Sequence, residues 1–472
     1  MKNMKKLPLI VLIGSLSACG GSDIPGLAAS GGPVLLQETT VATTPAPDDS
    51  KAFLVAAYQD GLAEIDLAQL AVQQATNENV KKFAQRMIEH HTAINNQITQ
   101  LAQRKNVALP TTPSADLQAQ RNTLSALAGN AFDLAYMQQN VAVHEKDAVA
   151  ARQQARQGTD VDVKRLARSA LPILEVHLAA AEETAALLSP ASFLATAFRA
   201  GLAEVQLSQL ALQKASNAEV RAFAQRMVDE HTQANAQITS LAQQEGTTLP
   251  TAPSAEQQAV ATELSGFTGP DFDEAFMDAN VIAHVKTVRL FRRQAQQGQD
   301  AAVKSFAAGK QSTLTGHLVA AIETDGAVTP SFPFLVFQDG EAEIALSQLA
   351  LQRASSADVK TFAQSMIDAH TTANAQLQAQ AQQANRQLPT DVAPEHLLAL
   401  AALLDRRGRE FDQTYMELAA GVHERDVKAA TAATQQTADA FSNSVAQVAL
   451  PILNDHLARA RALRDQVENA QQ

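Results

Sequence analysis

Nine of the eleven histidines in this chain of 472 residues recur in three sets with constant spacing. The sets are 140 and then 139 residues apart, and they comprise His91, His144 and His177, then His231, His284 and His317, then His370, His423 and His456. One glutamate repeats with the same two shifts, as Glu64, Glu204 and Glu343. Constant offsets over so long a span indicate three tandem copies of one unit, which constrains the fold more than any other feature.

The residues around these positions are typical of helices. Ala, Gln and Leu are abundant, the chain has no Trp and three Tyr, and β-branched residues seldom occur in runs. In the first copy, apolar residues at helical spacing predict long helices over about 53–75 and 80–104, and two more around His144 and His177. Glu64 and the three histidines lie on the apolar faces of these helices. We therefore predict an all-α protein.

A short helical segment, from Ser114 to Leu127, separates the second and third long helices of the first copy. If the four long helices alternated up and down, the glutamate and the histidines would be spread over about 10 Å along the bundle axis. If the segment carries the chain back instead, the second and third helices are parallel and the spread falls to about 6 Å. We therefore predict a crossover segment in each four-helix bundle.

The three units follow one another closely. Ser189–Pro190 and Thr329–Pro330 each have the form of a helix cap followed by a first-turn proline, which leaves little room for linkers. We predict bundles over residues 51–188, 189–328 and 329–472.

The first fifty residues have the features of an export signal and a tether. Residues 1–18 contain lysines followed by an apolar run that is too short to span a membrane. The run ends at Leu16-Ser17-Ala18-Cys19-Gly20, which resembles the lipobox of bacterial lipoproteins and implies cleavage before Cys19 and its acylation. Residues 19–50 are rich in small and polar residues and predict a flexible tether. We expect a lipid anchor at Cys19 in the bacterial cell envelope, and by analogy with bacterial lipoproteins Gly20 implies the outer membrane, with the protein facing the periplasm.

Charge and motif content exclude several function classes. The formal net charge is −12, and no cluster of Lys and Arg follows the signal segment, so we expect no nucleic-acid partner. The sequence has no glycine-rich phosphate loop, GxSxG motif or HExxH motif. The histidine sets are therefore the one group of candidate functional residues in the sequence. Since no motif for a general base or nucleophile accompanies them, we expect a binding protein rather than an enzyme. The sequence does not indicate protein partners.

Each copy contains a further group of short motifs. In the first copy they are Gly61-Leu62-Ala63-Glu64-Ile65, Phe83-Ala84-Gln85-Arg86-Met87 before His91-Thr92, Leu109-Pro110, Phe132-Asp133 before His144, and Leu171-Pro172 before His177-Leu178. Together they resemble the bacterial secreted domain-of-unknown-function family numbered 4142, over residues 53–185, 193–325 and 332–465. The resemblance implies ferritin-like four-helix bundles and an envelope location, but no activity. The di-iron ferritin-like proteins carry Glu three residues before His, and this chain has Ile88 and Leu174 there instead.

The repeated glutamate and histidines form a donor set that suits a transition metal. Three neutral imidazoles and one carboxylate can bind Zn²⁺, Fe, Mn or Cu. The functional hypothesis is one metal site per copy, in a protein that sequesters or buffers the metal. Met87, one turn before His91, would add a soft ligand or fill the core. Asn95, one turn after His91, would orient a histidine ring or cap a buried polar pair.

Two alternatives remain open at this point. Glu64 can accept hydrogen bonds from histidine N–H groups in a closed polar network without an ion, which makes each bundle a structural or interaction module. The same network can sense acid between roughly pH 5 and 7 through protonation of the histidines. If one copy has lost its site, the second is the candidate, because Lys310 stands two turns before its last histidine. His90 and His396 match nothing across the copies and are predicted to be surface residues.

Overall fold

The computed structural model describes residues 50–404, 406–435 and 438–469 of the chain. These residues form fifteen α-helices and no strand, which confirms the prediction of an all-α protein. The predicted signal peptide, Cys19 and the tether up to residue 49 lie outside the described residues. Ser50, predicted to be the end of the tether, instead begins the first helix. Within the described part of the chain, no helix combines the length and apolar character needed to cross a membrane.

Each copy contributes four long helices and one short one. The first copy forms α1 (Ser50–Gln74), α2 (Glu78–Arg104), α3 (Ala115–Ser125), α4 (Gly129–Gln157) and α5 (Val161–Leu188). The second forms α6 (Pro190–Lys214), α7 (Ala218–Gln244), α8 (Ala255–Leu264), α9 (Gly269–Gln297) and α10 (Ala301–Asp325). The third forms α11 (Phe332–Arg353), α12 (Ala357–Gln383), α13 (Pro394–Leu403), α14 (Gly408–Thr434) and α15 (Ala440–Asn469). Three repeated helical bundles are thereby confirmed.

The short helix of each copy lies in a crossover. In the first bundle, one apolar cluster joins the end of α1 to the starts of α2 and α4 through Ala71, Phe83 and Phe132. A second cluster, at the opposite end, contains Leu101 near the end of α2 and Ala155 near the end of α4. Since α2 and α4 start in one cluster and end in the other, they are parallel, and the segment with α3 returns the chain between them. The predicted crossover is therefore confirmed.

A buried aspartate near the start of α4 holds the turn between α1 and α2. Asp133 accepts hydrogen bonds from the backbone N–H groups of Thr76 and Asn77, at 3.1 and 2.9 Å. Asp273 and Asp412 accept the same pair of bonds in the other two bundles. Hydrogen bonds to an ionised carboxylate are among the stronger ones in proteins. This contact fixes the start of α4 against the start of α2 and therefore the relative height of the histidines that these helices carry.

The first two bundles are joined by a single residue outside helices. Ser189 donates its backbone N–H to Ala185 at the end of α5, and its hydroxyl accepts the N–H of Ser192 at the start of α6. Pro190 stands in the first turn of α6, as predicted. The helices of bundles one and two therefore follow each other without a flexible linker.

The joint between bundles two and three differs from the prediction. The helix α11 begins at Phe332, after Ser331, and not at Thr329–Pro330. The N–H of Ser331 donates to Asp271 in the first turn of α9, at 2.9 Å, and this contact with bundle two occupies the chain just before α11. Thr329–Pro330 has the sequence pattern of a helix cap followed by a proline, but the helix begins only after Ser331, whose N–H is bonded to bundle two.

All three bundles meet at Arg152, which is 2% exposed. Its guanidinium lies 2.8 Å from Glu175 of its own bundle, 2.9 Å from Glu263 of bundle two and 2.6 Å from Asp391 of bundle three. A buried charge is tolerated only when it is paired and hydrogen-bonded. This junction therefore specifies how the three bundles are placed against one another.

Candidate metal centres

The three histidines of each set converge inside their bundle. In every copy, one ring nitrogen from each of the three histidines lies within 4.8 Å of the other two. The rings come from α2, α4 and α5 in the first bundle and from the equivalent helices in the others, and their centroids are 5.2 to 5.6 Å apart. All nine histidines are at most 7% exposed. We call these three groups the histidine triads.

One nitrogen of every triad histidine is buried without a hydrogen-bond partner among the described residues. In the first bundle these atoms are Nε2 of His91, Nε2 of His144 and Nδ1 of His177. The same three atoms are unpaired in the other two triads, namely Nε2 of His231, Nε2 of His284, Nδ1 of His317, Nε2 of His370, Nε2 of His423 and Nδ1 of His456. Leaving a buried polar atom unpaired costs about 1–3 kcal/mol, so nine such atoms in a regular arrangement require an explanation.

The backbone fixes which nitrogen of the middle histidine carries hydrogen. His144 Nδ1 lies 2.8 Å from the carbonyl oxygen of Asn140, one turn earlier on α4. His284 and His423 make the same contact at 2.8 Å with the residue one turn before each of them. Because a carbonyl only accepts, Nδ1 is the donor and Nε2 carries a free lone pair. A histidine that donates one N–H to a carbonyl is oriented to ligate through its other nitrogen.

The repeated glutamate lies beside the triad, most closely in the first bundle. Glu64 Oε2 is 2.8 Å from His91 Nδ1, and Glu64 Oε1 is 3.2 Å from His144 Nε2. In the other bundles, Glu204 Oε1 and Glu343 Oε1 lie 3.8 Å from Nδ1 of His284 and His423. The structure thus gathers three histidines in each copy and places a carboxylate against two of them in the first.

The three glutamates differ in protonation. Burial raises the pKa of Glu64, but the electrostatic interactions with His91 and His144 outweigh burial and lower that pKa below its usual value. Burial raises the pKa of Glu204 to about 8. Burial, reinforced by the negative charge of Asp339, raises the pKa of Glu343 to about 8 as well. At neutral pH the first bundle therefore has an ionised carboxylate at its triad, and the other two have a carboxylic acid.

Burial lowers the pKa of several triad histidines and so favours their neutral form. It lowers the pKa of His284 and of His456 from 6.5 to about 4. Burial, followed by repulsion from neighbouring histidines, holds the pKa values of three more well below 6.5, namely His177, His231 and His370. A neutral imidazole is the form that binds a metal ion, so none of these five groups has to lose a net proton at pH 7 before it binds one.

The residue directly before the first histidine of each triad has a role that the sequence did not reveal. His90 Nδ1 is 2.7 Å from His177 Nε2 in bundle one, and Glu230 Oε2 is 2.5 Å from His317 Nε2 in bundle two. The third bundle has Ala369 at this position. The prediction that His90 is a surface residue was wrong, since it is 5% exposed. Aligning the copies could have indicated this role, because His90 and Glu230 are both polar residues directly before a repeated histidine.

The prediction that His396 is a surface residue was also wrong. It is buried in bundle three, with Nε2 2.5 Å from Asp339 Oδ1 and 3.1 Å from a guanidinium nitrogen of Arg425. A buried carboxylate attracts a polar partner, and His396 on α13 supplies it.

Asn95 and Met87 make contacts that stabilise the bundle. The side-chain amide of Asn95 donates to the backbone carbonyl of Tyr58 on α1, at 3.4 Å, so it links α2 to α1. Met87 is fully buried in the apolar cluster at one end of bundle one. Lys310 in bundle two lies over the ring of Phe306, with Nζ 5.8 Å from its centroid, and the second copy keeps its complete triad.

The donor set fits a transition-metal ion. Three imidazoles with converging ring nitrogens match the nitrogen ligands that Zn²⁺, Cu and Fe accept in proteins, whereas Mg²⁺ and Ca²⁺ prefer oxygen. In the first bundle, Glu64 Oε1 and His144 Nε2 are two acceptors 3.2 Å apart, which repel unless a proton or a cation lies between them. A cation at the triad would satisfy the unpaired ring nitrogens and, in bundle one, would also separate these two acceptors.

A family model described as "Domain of unknown function (DUF4142)" matches three consecutive segments, residues 36–184, 180–324 and 330–463. The segments correspond to the three bundles, and the resemblance found in the sequence motifs is thereby confirmed. No curated protein and no solved structure matches the chain.

Proposed function

The chain belongs to the DUF4142 family, whose function is unknown, and we propose that it binds transition-metal ions, one between the three histidines of each bundle. One observation carries this proposal. In each of three copies, three buried histidines bring one ring nitrogen each within 4.8 Å of the others, and each ring has one buried nitrogen without a hydrogen-bond partner among the described residues. A bound cation is the ligand that offsets the cost of burying these lone pairs together.

The chemistry of the donors indicates the class of ion. Imidazole suits Zn²⁺, Cu²⁺, Fe²⁺ and Ni²⁺, and geometry and availability decide among them. The three histidines would hold the ion, and Glu64 stands close enough to complete or orient the donor set in bundle one. A triad that leaves further coordination positions to water is also typical of catalytic zinc. We favour storage or buffering over turnover because all nine rings are at most 7% exposed, which leaves little access for a substrate.

The location completes the proposal. The lipobox-like sequence at Cys19 supports an anchored protein of the bacterial cell envelope, with the bundles in the periplasm. Three sites on one anchored chain would raise the metal capacity near the membrane without a soluble carrier.

A structural module is the alternative, and one observation in bundle one favours it. Glu64 already lies 2.8 Å from His91 Nδ1, so part of this triad has a polar partner without any ion. In bundles two and three, the glutamate lies 3.8 Å from Nδ1 of His284 and of His423, which is too far for a hydrogen bond. The structural alternative is therefore weaker for these two bundles.

The test is the metal content of the purified chain, produced without a histidine tag. We expect up to three transition-metal ions per chain by elemental analysis and a lower melting temperature after treatment with a chelator. A variant with His144→Leu, His284→Leu and His423→Leu should bind none and should melt at the same temperature with or without the chelator. The matched control is His396→Gln, which alters a buried histidine outside the triads. Metal-free wild-type protein whose melting ignores both chelator and added Zn²⁺ would favour the structural module.

A further inference from the structure

We propose that the residue before the first triad histidine sets the metal affinity of each bundle, so that the three sites differ and the first is coupled to bundle three. The residues at this position are His90, Glu230 and Ala369. This inference rests on the proposed function, because it concerns the affinity of the same triads. The inference does not depend on what the copies share, because the residue type at this position differs in each of the three copies.

In the second bundle, this position prepares the triad for an ion. Glu230 Oε2 lies 2.5 Å from His317 Nε2. A carboxylate accepts, so the hydrogen of the neutral ring is on Nε2 and the lone pair is on Nδ1, which is the unpaired atom facing the triad. A carboxylate behind a ligating histidine orients the ring and raises its basicity. Glu230 therefore acts as a positioning residue for metal binding by His317.

In the first bundle, the same position has the opposite effect. Arg353 Nη2 lies 3.1 Å from His90 Nε2, and a guanidinium has only donors, so His90 Nε2 accepts. The hydrogen of His90 is then on Nδ1, which donates to His177 Nε2 at 2.7 Å. His177 must carry its own hydrogen on Nδ1, the atom that faces the triad. In this hydrogen-bond order, His177 has no lone pair to offer an ion.

Binding of an ion to the first triad therefore requires the chain of hydrogen bonds to reverse. His177 would donate from Nε2, His90 would accept at Nδ1 and carry hydrogen on Nε2, and that hydrogen would face a hydrogen of Arg353. The contact between Arg353 and His90 would be lost. Because Arg353 ends α11 of bundle three, an ion in the first site would weaken the docking of bundle three, and tight docking would weaken the first site.

The third bundle lies between these two cases. Ala369 has no polar atom, so the ring of His456 receives neither an acceptor nor a competing donor from this position. The contribution of this position to metal affinity therefore falls in the order bundle two, bundle three, bundle one.

The experiment measures Zn²⁺ affinity one site at a time in the full chain. In each of three backgrounds, two of His144, His284 and His423 are replaced by leucine, and Zn²⁺ is titrated in competition with a chromophoric chelator. We expect Glu230→Ala to weaken the second site about 10–100-fold, the usual effect of losing such a partner, and Glu230→Gln, which keeps an accepting oxygen, to retain most of the affinity. We expect His90→Ala to strengthen the first site about tenfold or more, and His90→Glu to do so at least as well.

These variants are chosen to keep the fold. Alanine and glutamate already occur at this position in other copies, and Arg353 keeps its ion pair with Glu89 when His90 is replaced. Circular dichroism of each metal-free variant checks that the helices persist. Equal affinities in the three backgrounds, or a first site that is unchanged or weakened by His90→Ala, would overturn the inference. Absence of Zn²⁺ binding in all three backgrounds and in the wild-type chain would overturn the proposed function instead.

Discussion

At the scale of single residues, the middle histidine of each triad is held by a hydrogen bond to its own helix. One nitrogen of His144 donates to the backbone of its own helix, and the other faces the triad without a partner. The same division holds for His317, whose outer nitrogen contacts Glu230. A ring held in this way cannot rotate freely, so the lone pairs are aimed before any ion arrives, and less entropy is lost when it binds.

Replacing the repeated glutamate by glutamine is predicted to change the free energy of unfolding in opposite directions in the first and second copies. The folded chain keeps Glu204 protonated up to about pH 8, whereas the unfolded chain ionises it near pH 4.5. The folded state thus binds more protons in this interval, and the free energy of unfolding falls as the pH rises from about 4.5 to about 8. In metal-free protein at pH 7, Glu204→Gln should raise the free energy of unfolding by about 1–3 kcal/mol and reduce this pH dependence.

Glu64→Gln is the matched comparison. Burial raises the pKa of Glu64, but the interactions with His91 and His144 lower it overall, so its ionised form favours the folded state above its unfolded pKa of about 4.5. Its replacement should therefore destabilise the metal-free protein at pH 7. Urea unfolding in the presence of a chelator measures both effects, and a change of the same sign for the two variants would contradict the assignment.

At the scale of helices, a close approach of the first two helices in each bundle depends on a glycine. A Cβ atom at Gly201 would overlap the side chain of Asn235 on α7, and Gly61 and Gly340 have the same relation to Asn95 and Asn374. The glycine stands three residues before the repeated glutamate, so this contact also sets how near the glutamate comes to the triad. Packed interiors accommodate added volume poorly, because neighbouring side chains must leave their preferred rotamers.

We predict that Gly201→Ala destabilises the chain by about 1–3 kcal/mol, although alanine is the better helix former. The control is Gly309→Ala in the exposed interior of α10, where an added Cβ meets nothing within 4 Å. That change should stabilise the chain by about 0.5–1 kcal/mol through the lower entropy of the unfolded state. Thermal unfolding of the two variants decides the matter, and equal shifts would show that the approach at Gly201 is not tight.

The helical elements were largely predictable, but the partners of the triads were not. Helical spacing of apolar residues placed Glu64 and the histidines on buried faces, and counting the rise per residue was enough to infer the crossover. The environment of His90 depends on Arg353, which is more than 260 residues away in sequence. No periodicity within one copy contains information about a contact between copies. The later start of α11 has the same cause, since Ser331 bonds to Asp271 of another bundle.

At the scale of the whole molecule, charged groups buried between the bundles specify their arrangement. Arg152 contacts carboxylates from three bundles, and Arg353 contacts Glu89 and His90 across another interface. Beside Arg152 lies a cavity of about 110 Å³ that is lined by carboxylates including Glu182 and Glu204. Burial, followed by repulsion from Glu145, raises the pKa of Glu182 to about 8. The interfaces between the bundles therefore combine buried charged groups with apolar contacts such as those of Phe334 and Leu398 with bundle two.

We predict that Arg152→Met separates the bundles without unfolding them. Removing one partner of a buried ion pair typically costs about 3–5 kcal/mol, and here three carboxylates lose their partner at once. Thermal unfolding should change from one cooperative transition to several, and small-angle scattering should report a larger radius of gyration. Arg464→Met, which removes an exposed ion pair with Asp465, is the control and should change neither observable. A single transition at an unchanged temperature in Arg152→Met would show that the junction does not hold the bundles together.

Ser189 alone lies outside helices at the joint between bundles one and two, and its two ends are tied to Ala185 and Ser192. A protease must draw several residues of extended chain into its cleft, and this joint offers none unless a helix end first unwinds. The first two bundles should therefore survive limited digestion as one fragment. Dividing the chain at Ser189 to obtain a single bundle would remove the hydrogen bond at the end of α5 or the N-cap of α6. The helix end at the division point would then fray.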